Sequence, residues 1–96
     1  MIRHIVLMRW KVEADVATKQ SAREAIEGLG ALPEVRAMRV GENVGRSPNA
    51  YDFAAVMDFD DRVAFARYLE SEAHRRYVEG PARAAVASIA AIQHEW

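Results

Sequence analysis

The sequence predicts an α+β domain with element order β-α-β-β-α-β, a split βαβ arrangement with its helices on one face of the sheet. Three observations carry this expectation. Residues 2–10 and 51–59 alternate between two sets of side chains, the period of strands. The stretches after Asp15 and after Asp60 repeat their apolar residues at three- and four-residue steps, the period of helices. Residues 2–10 are also apolar on both faces at their centre, so a second sheet face remains for something other than helices to cover.

The first strand, residues 2–10, carries Ile2, His4, Val6, Met8 and Trp10 on one face and Arg3, Ile5, Leu7 and Arg9 on the other. Asp15 is placed to cap the next element by accepting from the orphaned N–H groups of a first helical turn. Ala22, Ala25, Ile26, Leu29 and Leu32 then form one buried stripe, and Pro33 ends it because the residue before a proline is pushed out of the helical region. Residues 35–44 read as a second strand through Val35, Ala37, Met38 and Val40. They are followed by the turn-forming run Gly45-Arg46-Ser47-Pro48-Asn49-Ala50.

The third strand, residues 51–59, sets Phe53, Ala55, Met57 and Phe59 on one face and Asp52, Ala54, Val56 and Asp58 on the other. Asp60 is expected to cap the second helix, with Val63, Phe65 (or Ala66), Tyr68 and Leu69 facing inward. Ser71-Glu72-Ala73-His74 either interrupts that helix or begins a new one. Gly80-Pro81 marks another break, with proline suited to the first turn of an alanine-rich helical piece reaching about Ala90. Ile92 to Trp96 is the expected last strand.

Ninety-six residues make a single domain, 1–96, and 51% hydrophobic residues exclude a disordered chain. No apolar run approaches the roughly 18–20 residues that cross a bilayer, so no membrane association is expected. The net charge is −1 with acids and bases intermixed, which argues against binding nucleic acid. All thirteen basic residues except Lys11 and Lys19 are arginine, a compositional bias of the source rather than a functional feature. There is no cysteine, hence no disulfide, no thiolate nucleophile and no thiolate metal site. The N-terminal apolar stretch is too short and too rich in arginine for a signal peptide, and a cytoplasmic protein is expected. The uncovered sheet face predicts a homodimer, since burying each large apolar side chain is worth roughly 1.5–3 kcal/mol and a second copy of the sheet supplies the cover.

Specific residues add a resemblance. Ile2-Arg3-His4-Ile5-Val6-Leu7 resembles the first strand of the stress-responsive A/B barrel (Dabb) domain. Gly41-Glu42-Asn43 and Tyr51-Asp52 resemble its second and third strands, and Phe59-Asp60-Asp61 its lead into the helix. Tyr68, then Ala73-His74 and Tyr77-Val78, resemble its signature helix. The resemblance covers nearly the whole chain. It implies a ferredoxin-like fold, paired sheet to sheet as a dimeric α+β barrel. Among the family's enzymes is a plant polyketide cyclase, of the olivetolic acid cyclase type. There a tyrosine and a histidine, six residues apart on the helix after the third strand, carry out a cofactor-free aldol condensation. Tyr68 and His74 stand at those positions, and His4 matches a pocket histidine on the first strand. Where members usually carry His-Pro-x-His, this chain has Ser71-Glu72-Ala73-His74, and Phe53 replaces a histidine of that cyclase.

His74 is accordingly the candidate general base, because an imidazole that titrates near neutrality can take a proton from beside a carbonyl and return it. Tyr68 is the candidate donor to the developing enolate oxygen. His4 reads either as a buried structural group bonded to a backbone carbonyl or as a pocket residue. Phe53, Met57 and Phe59, with Met8, either line a cavity for an apolar ligand or fill the core. Arg75 and Arg76 either receive an anion or form a solvated helix face. His94 has no argument beyond its type. The histidines lack the i, i+4 spacing of a metal site, and Gly41, Gly45 and Gly80 form no phosphate loop, so neither metal nor cofactor is expected.

These readings predict a cofactor-independent cyclase or isomerase acting on a small aromatic or polyketide-like carbonyl compound. The alternatives are a non-catalytic dimer that binds a small apolar ligand or serves in stress tolerance, and a cofactor-free quinone-forming monooxygenase on the same fold. The spacing of Tyr68 and His74 favours the first over the last.

Overall fold

The computed structural model describes residues 1–96, and β1 (Ile2–Trp10) is the strand on which it is built. β1 pairs antiparallel with β3 (Phe53–Phe59) on one side and β4 (Val86–Glu95) on the other. β2 (Ala37–Glu42) adds antiparallel to the far side of β3, giving the order β2-β3-β1-β4. The first helix, α1 (Val16–Gly28), connects β1 to β2. The segments α2 (Arg62–Glu70), α3 (Glu72–Tyr77) and the single turn α4 (Arg83–Ala85) connect β3 to β4. The core lies between helices and sheet, where Val6, Met8, Ala55, Met57 and Phe59 meet Ile26 and Tyr68.

Asp15 caps α1 as expected, its Oδ1 accepting from the Thr18 backbone N–H at 2.8 Å. The buried stripe is narrower than its sequence. Ala22, Ile26 and Leu29 are buried, while Ala25 and Leu32 are only half-buried. Leu29–Ala31 tighten into a 3-10 turn, and Leu32 is already extended before Pro33. This turn presses on β2 at Gly30, where a Cβ would lie 2.8 Å from the Cβ of Met38.

Both middle strands are shorter than the alternation suggests. β2 begins after Val35, which is buried outside the ladder, and ends before Val44, which is 98% exposed. The ladder stops because β3 starts at Phe53, opposite Glu42, with one further bond from Asn43 N–H to the Asp52 carbonyl. Asp52 is held outside the strand by β1: its N–H donates to the Met8 carbonyl and its Oδ2 accepts from the Trp10 N–H.

Three other expectations are corrected. The cap of α2 is Asp61, whose Oδ1 accepts from Ala64 N–H at 2.8 Å, whereas Asp60 forms a two-pronged ion pair with Arg36. Phe65 and Tyr68 face inward as expected, joined by Ala64, whereas Val63 and Leu69, also expected inward, are 58% and 43% exposed. The alanine-rich stretch is not helical to Ala90, since β4 starts at Val86. Alanine's helix preference is weak, about a few tenths of a kcal/mol per residue over most others. A strand here instead pairs with β1 along its whole length, from Trp10 opposite Val86 to Ile2 opposite Glu95, with Ala87 bulged out. Gly80 and Pro81 do not break the helical path. They lie in a wide π-helical turn, Val78–Ala82, between α3 and α4.

The other face of the sheet presents Ile5, Leu7, Ala54, Val56, Ala90 and Ile92, with Ile92 60% exposed. Two arginine–aromatic contacts flank it. Arg3 pairs with Asp58 and stacks 4.6 Å from the ring of Trp96, and Arg9 lies 4.1 Å from the ring of Tyr51.

Candidate functional site

The helices do not close fully on the sheet. Between α1, α2, α3 and the helical face of β1 and β4 lies a cavity of about 450 Å³. Its walls are chiefly apolar, among them Val6, Met8, Ile26 and Met57. The polar exceptions are His4, His74 and Ser88, with the phenols of Tyr68 and Tyr77. Leu69, Val78 and Ile89 line it while remaining 43%, 46% and 62% exposed, and so form its mouth.

Tyr68 and His74 come together through the chain break between α2 and α3. Ser71 makes that break: its Oγ donates to the Tyr68 carbonyl at 2.7 Å and accepts from the His74 N–H at 3.1 Å. It thus satisfies the last turn of one helix and the first of the next. Of the two readings of this stretch, the start of a new helix is the observed one. The rings of Tyr68 and His74 meet nearly edge-on, centroids 4.8 Å apart at 60°. The Tyr68 side chain is 2% exposed, and its hydroxyl opens on the cavity. Burial, with Tyr77 nearby, pushes the Tyr68 phenol well above its ordinary value, so it is a hydrogen-bond donor at neutral pH. Burial lowers the His74 imidazole, against a smaller opposing contribution from the Leu69 backbone, and leaves it neutral and able to accept a proton.

His4 is buried on β1 beneath α2, its ring centroid 5.0 Å from Phe65 and 6.3 Å from Tyr68. Burial first, and the neighbouring His74 second, depress it to about 4. Its partner is not a backbone carbonyl: Nδ1 lies 2.8 Å from Nε2 of Gln93. Met57, opposite His4 in the β1–β3 register, also lines the cavity. Phe53 and Phe59 do not. Phe53 packs on Trp10 with centroids 5.5 Å apart, and Phe59 on Phe65 and Tyr68 at 5.2 and 5.1 Å, so both belong to the core behind the wall. Arg75 and Arg76 point to solvent, where both pair with Glu72. His94 is exposed on the opposite sheet face. No three His, Asp or Glu side chains converge as a metal site would need.

Two residues of the site, Tyr77 in the cavity wall and Gln93 beside it, escaped the sequence reading as functional residues. Tyr77 lies three residues after His74 on α3, and its hydroxyl donates to Met8 Sδ at 3.3 Å. Burial pushes its phenol up to about 12. The i, i+3 spacing was the available signal. Gln93 pairs with His4 only through the β1–β4 register, which has no local signature.

Comparison with known proteins places this geometry in context. The family model described as Stress responsive A/B Barrel Domain matches residues 2–94. An uncharacterised protein of Streptomyces coelicolor is 37% identical over 78 residues, 78% of this chain and 80% of the relative. The crystal structure of a dimeric ferredoxin-like protein from Thermobifida fusca superposes with a TM-score of 0.86 at 29% identity, covering 99% of this chain and 90% of that one. A hydroxynitrile lyase from Passiflora edulis shares the fold with a TM-score of 0.86 at 17% identity, covering 97% of this chain and 90% of the enzyme.

Proposed function

We propose that this chain, which belongs to the stress responsive A/B barrel domain family, is a cofactor-independent enzyme of the cyclase or isomerase type. Its substrate is a small aromatic or polyketide-like carbonyl compound. The observation that carries this reading is the edge contact of Tyr68 and His74 inside an apolar cavity of about 450 Å³. Neutral His74 takes a proton from the carbon beside the carbonyl, and the C–H electron pair becomes the C=C bond of an enolate as the carbonyl π pair moves to oxygen. The Tyr68 hydroxyl donates to that oxygen. The enolate carbon then attacks a second carbonyl of the same molecule, a C–C bond forms, and the imidazolium returns its proton to the new alkoxide. In an isomerase the proton returns to a different carbon. The apolar walls keep both side chains in the protonation states the steps need.

A second reading, a non-catalytic dimer that binds a small apolar ligand, is supported by the predominance of apolar side chains in those walls. A thermal-shift and turnover screen separates the two, with acetylacetone, benzaldehyde, naphthoquinone and mandelonitrile as probes. Mandelonitrile is included because a lyase for hydroxynitriles shares the fold. A ligand at 100 times its dissociation constant adds about 2.7 kcal/mol, a rise in melting temperature of roughly 10 °C for a domain of this size. Turnover that is lost in His74→Ala and falls about 10²–10³-fold in Tyr68→Phe is the expected result. Stabilisation without turnover, equal in wild type and Tyr68→Phe, would reject the enzyme in favour of the binding protein.

The same reading makes the working unit a cytoplasmic homodimer. The open sheet face carries Ile5, Leu7, Val56 and Ile92 at its centre, and a neighbour of the same fold is described as dimeric. A second copy applied to this face buries those side chains and leaves the cavity, on the opposite side of the sheet, accessible.

A further inference from the structure

His4 and Gln93 stand directly opposite each other in the β1–β4 ladder, so their side chains leave the same face of the sheet. Gln93 Nε2 lies 2.8 Å from His4 Nδ1. An amide NH₂ donates and does not accept, so His4 Nδ1 presents its lone pair and the ring proton resides on Nε2. His4 Nε2 is neither bonded to protein nor sealed in the core, and the ring lines the cavity. The titratable groups that face this ring are Tyr68 from α2 and His74 from α3, with Phe65 beside them. None carries a negative charge at neutral pH that would draw a second proton onto the imidazole.

We propose that Gln93 is a positioning residue that holds His4 as the neutral Nε2–H tautomer, so that His4 offers a hydrogen-bond donor to an oxygen of the cavity's ligand. The assignment rests on the carbonyl-compound reading above and divides the two imidazoles by role. His74 accepts the proton. His4 and Tyr68, rings 6.3 Å apart, supply two donors to the oxygen on which charge develops. A depressed titration suits this role, because a charged His4 would repel the imidazolium that forms on His74.

Two-bond ¹⁵N–¹H correlation spectra of the labelled, ligand-free protein read the tautomer of each of the three histidines, assigned with His74→Gln and His94→Gln. His4 is expected as Nε2–H, with no titration between pH 5 and 8. In Gln93→Glu the carboxylate only accepts, so the proton should move to Nδ1 and the titration of His4 should rise by about one pH unit or more. In Gln93→Leu the tautomer preference should weaken, and kcat should fall roughly tenfold or more with little change in KM. His4 found as Nδ1–H in the wild type, a signature unchanged in both variants, or an unchanged kcat in Gln93→Leu would each overturn the proposal. Absence of wild-type turnover with acetylacetone, which carries the required proton beside its carbonyl, counts against the carbonyl reading instead, because the tautomer is read on the free protein.

Discussion

The imidazole of His74 meets the phenol ring of Tyr68 nearly edge-on, with centroids 4.8 Å apart, across a helix break that Ser71 satisfies on both sides. The contact joins the last turn of α2 to the first turn of α3, whose backbone ends the Ser71 hydroxyl ties together. It therefore holds a proton acceptor and a proton donor in fixed relation on one wall of the cavity.

Tyr68→Phe keeps the packed ring and removes only the hydroxyl. Loss of one preorganised donor of this kind costs about 10²–10³ in kcat, so the variant should fold as the wild type and turn over at that reduced rate. Steady-state kinetics beside a melting curve checks this. A variant of full activity excludes the phenol from the chemistry.

Acid should destabilise the protein through His4. Its ordinary pKa of 6.5 is lowered to about 4 by burial, so between these values the unfolded chain binds a proton that the folded chain does not. This contribution is fully present above pH 6.5 and is lost as the pH falls towards 4; His74, also lowered, acts in the same direction. Water reaching the ring through the cavity discounts the shift, leaving about 2 kcal/mol for His4. Urea unfolding at pH 7, 5.5 and 4.5 should show a smaller acid loss in His4→Gln than in the wild type.

The cap assignment at α2 is open to a direct comparison. Asp61→Ala should cost about 1 kcal/mol because an orphan N–H loses its acceptor. Asp60→Ala removes only an exposed, solvent-screened pair with Arg36 and should cost less. Equal losses of chemical-denaturation stability would place the cap elsewhere.

Ile92→Glu tests the pairing face. In a paired sheet the new carboxylate would be buried without a partner in each copy, a penalty of several kcal/mol, on the order of 3 or more. Sedimentation should show a dimer for the wild type and a monomer for the variant. A wild type that sediments as a monomer at micromolar concentration would contradict the pairing.

Much of the site was legible because its members sit on regular local patterns. The alternation of Ile2, His4, Val6 and Met8 predicted one face of β1, and that face lines the cavity. The shared wall of Tyr68 and His74 came from the family resemblance and not from periodicity, and both line the cavity. Phe53 and Phe59 show the limit of the same pattern. Alternation gives a side of the sheet, but whether a side chain on that side meets a cavity or another aromatic ring depends on which helix lies above it.

The amino-acid sequence by itself determined the element order, the cap on α1, the two-faced apolar character of β1 and the opposition of a helical face to an open one. These follow from periodicity and from short-range hydrogen bonds, which act within a few residues. Only the tertiary structure decided that Val86–Ala90 is a strand, that Asp61 rather than Asp60 caps α2, and that Gln93 reaches His4. Each depends on a partner distant in sequence: the free edge of β1, Arg36, and the β1–β4 register. The free energy of a shared sheet ladder or an ion pair outweighs the few tenths of a kcal/mol by which local preference separates the alternatives.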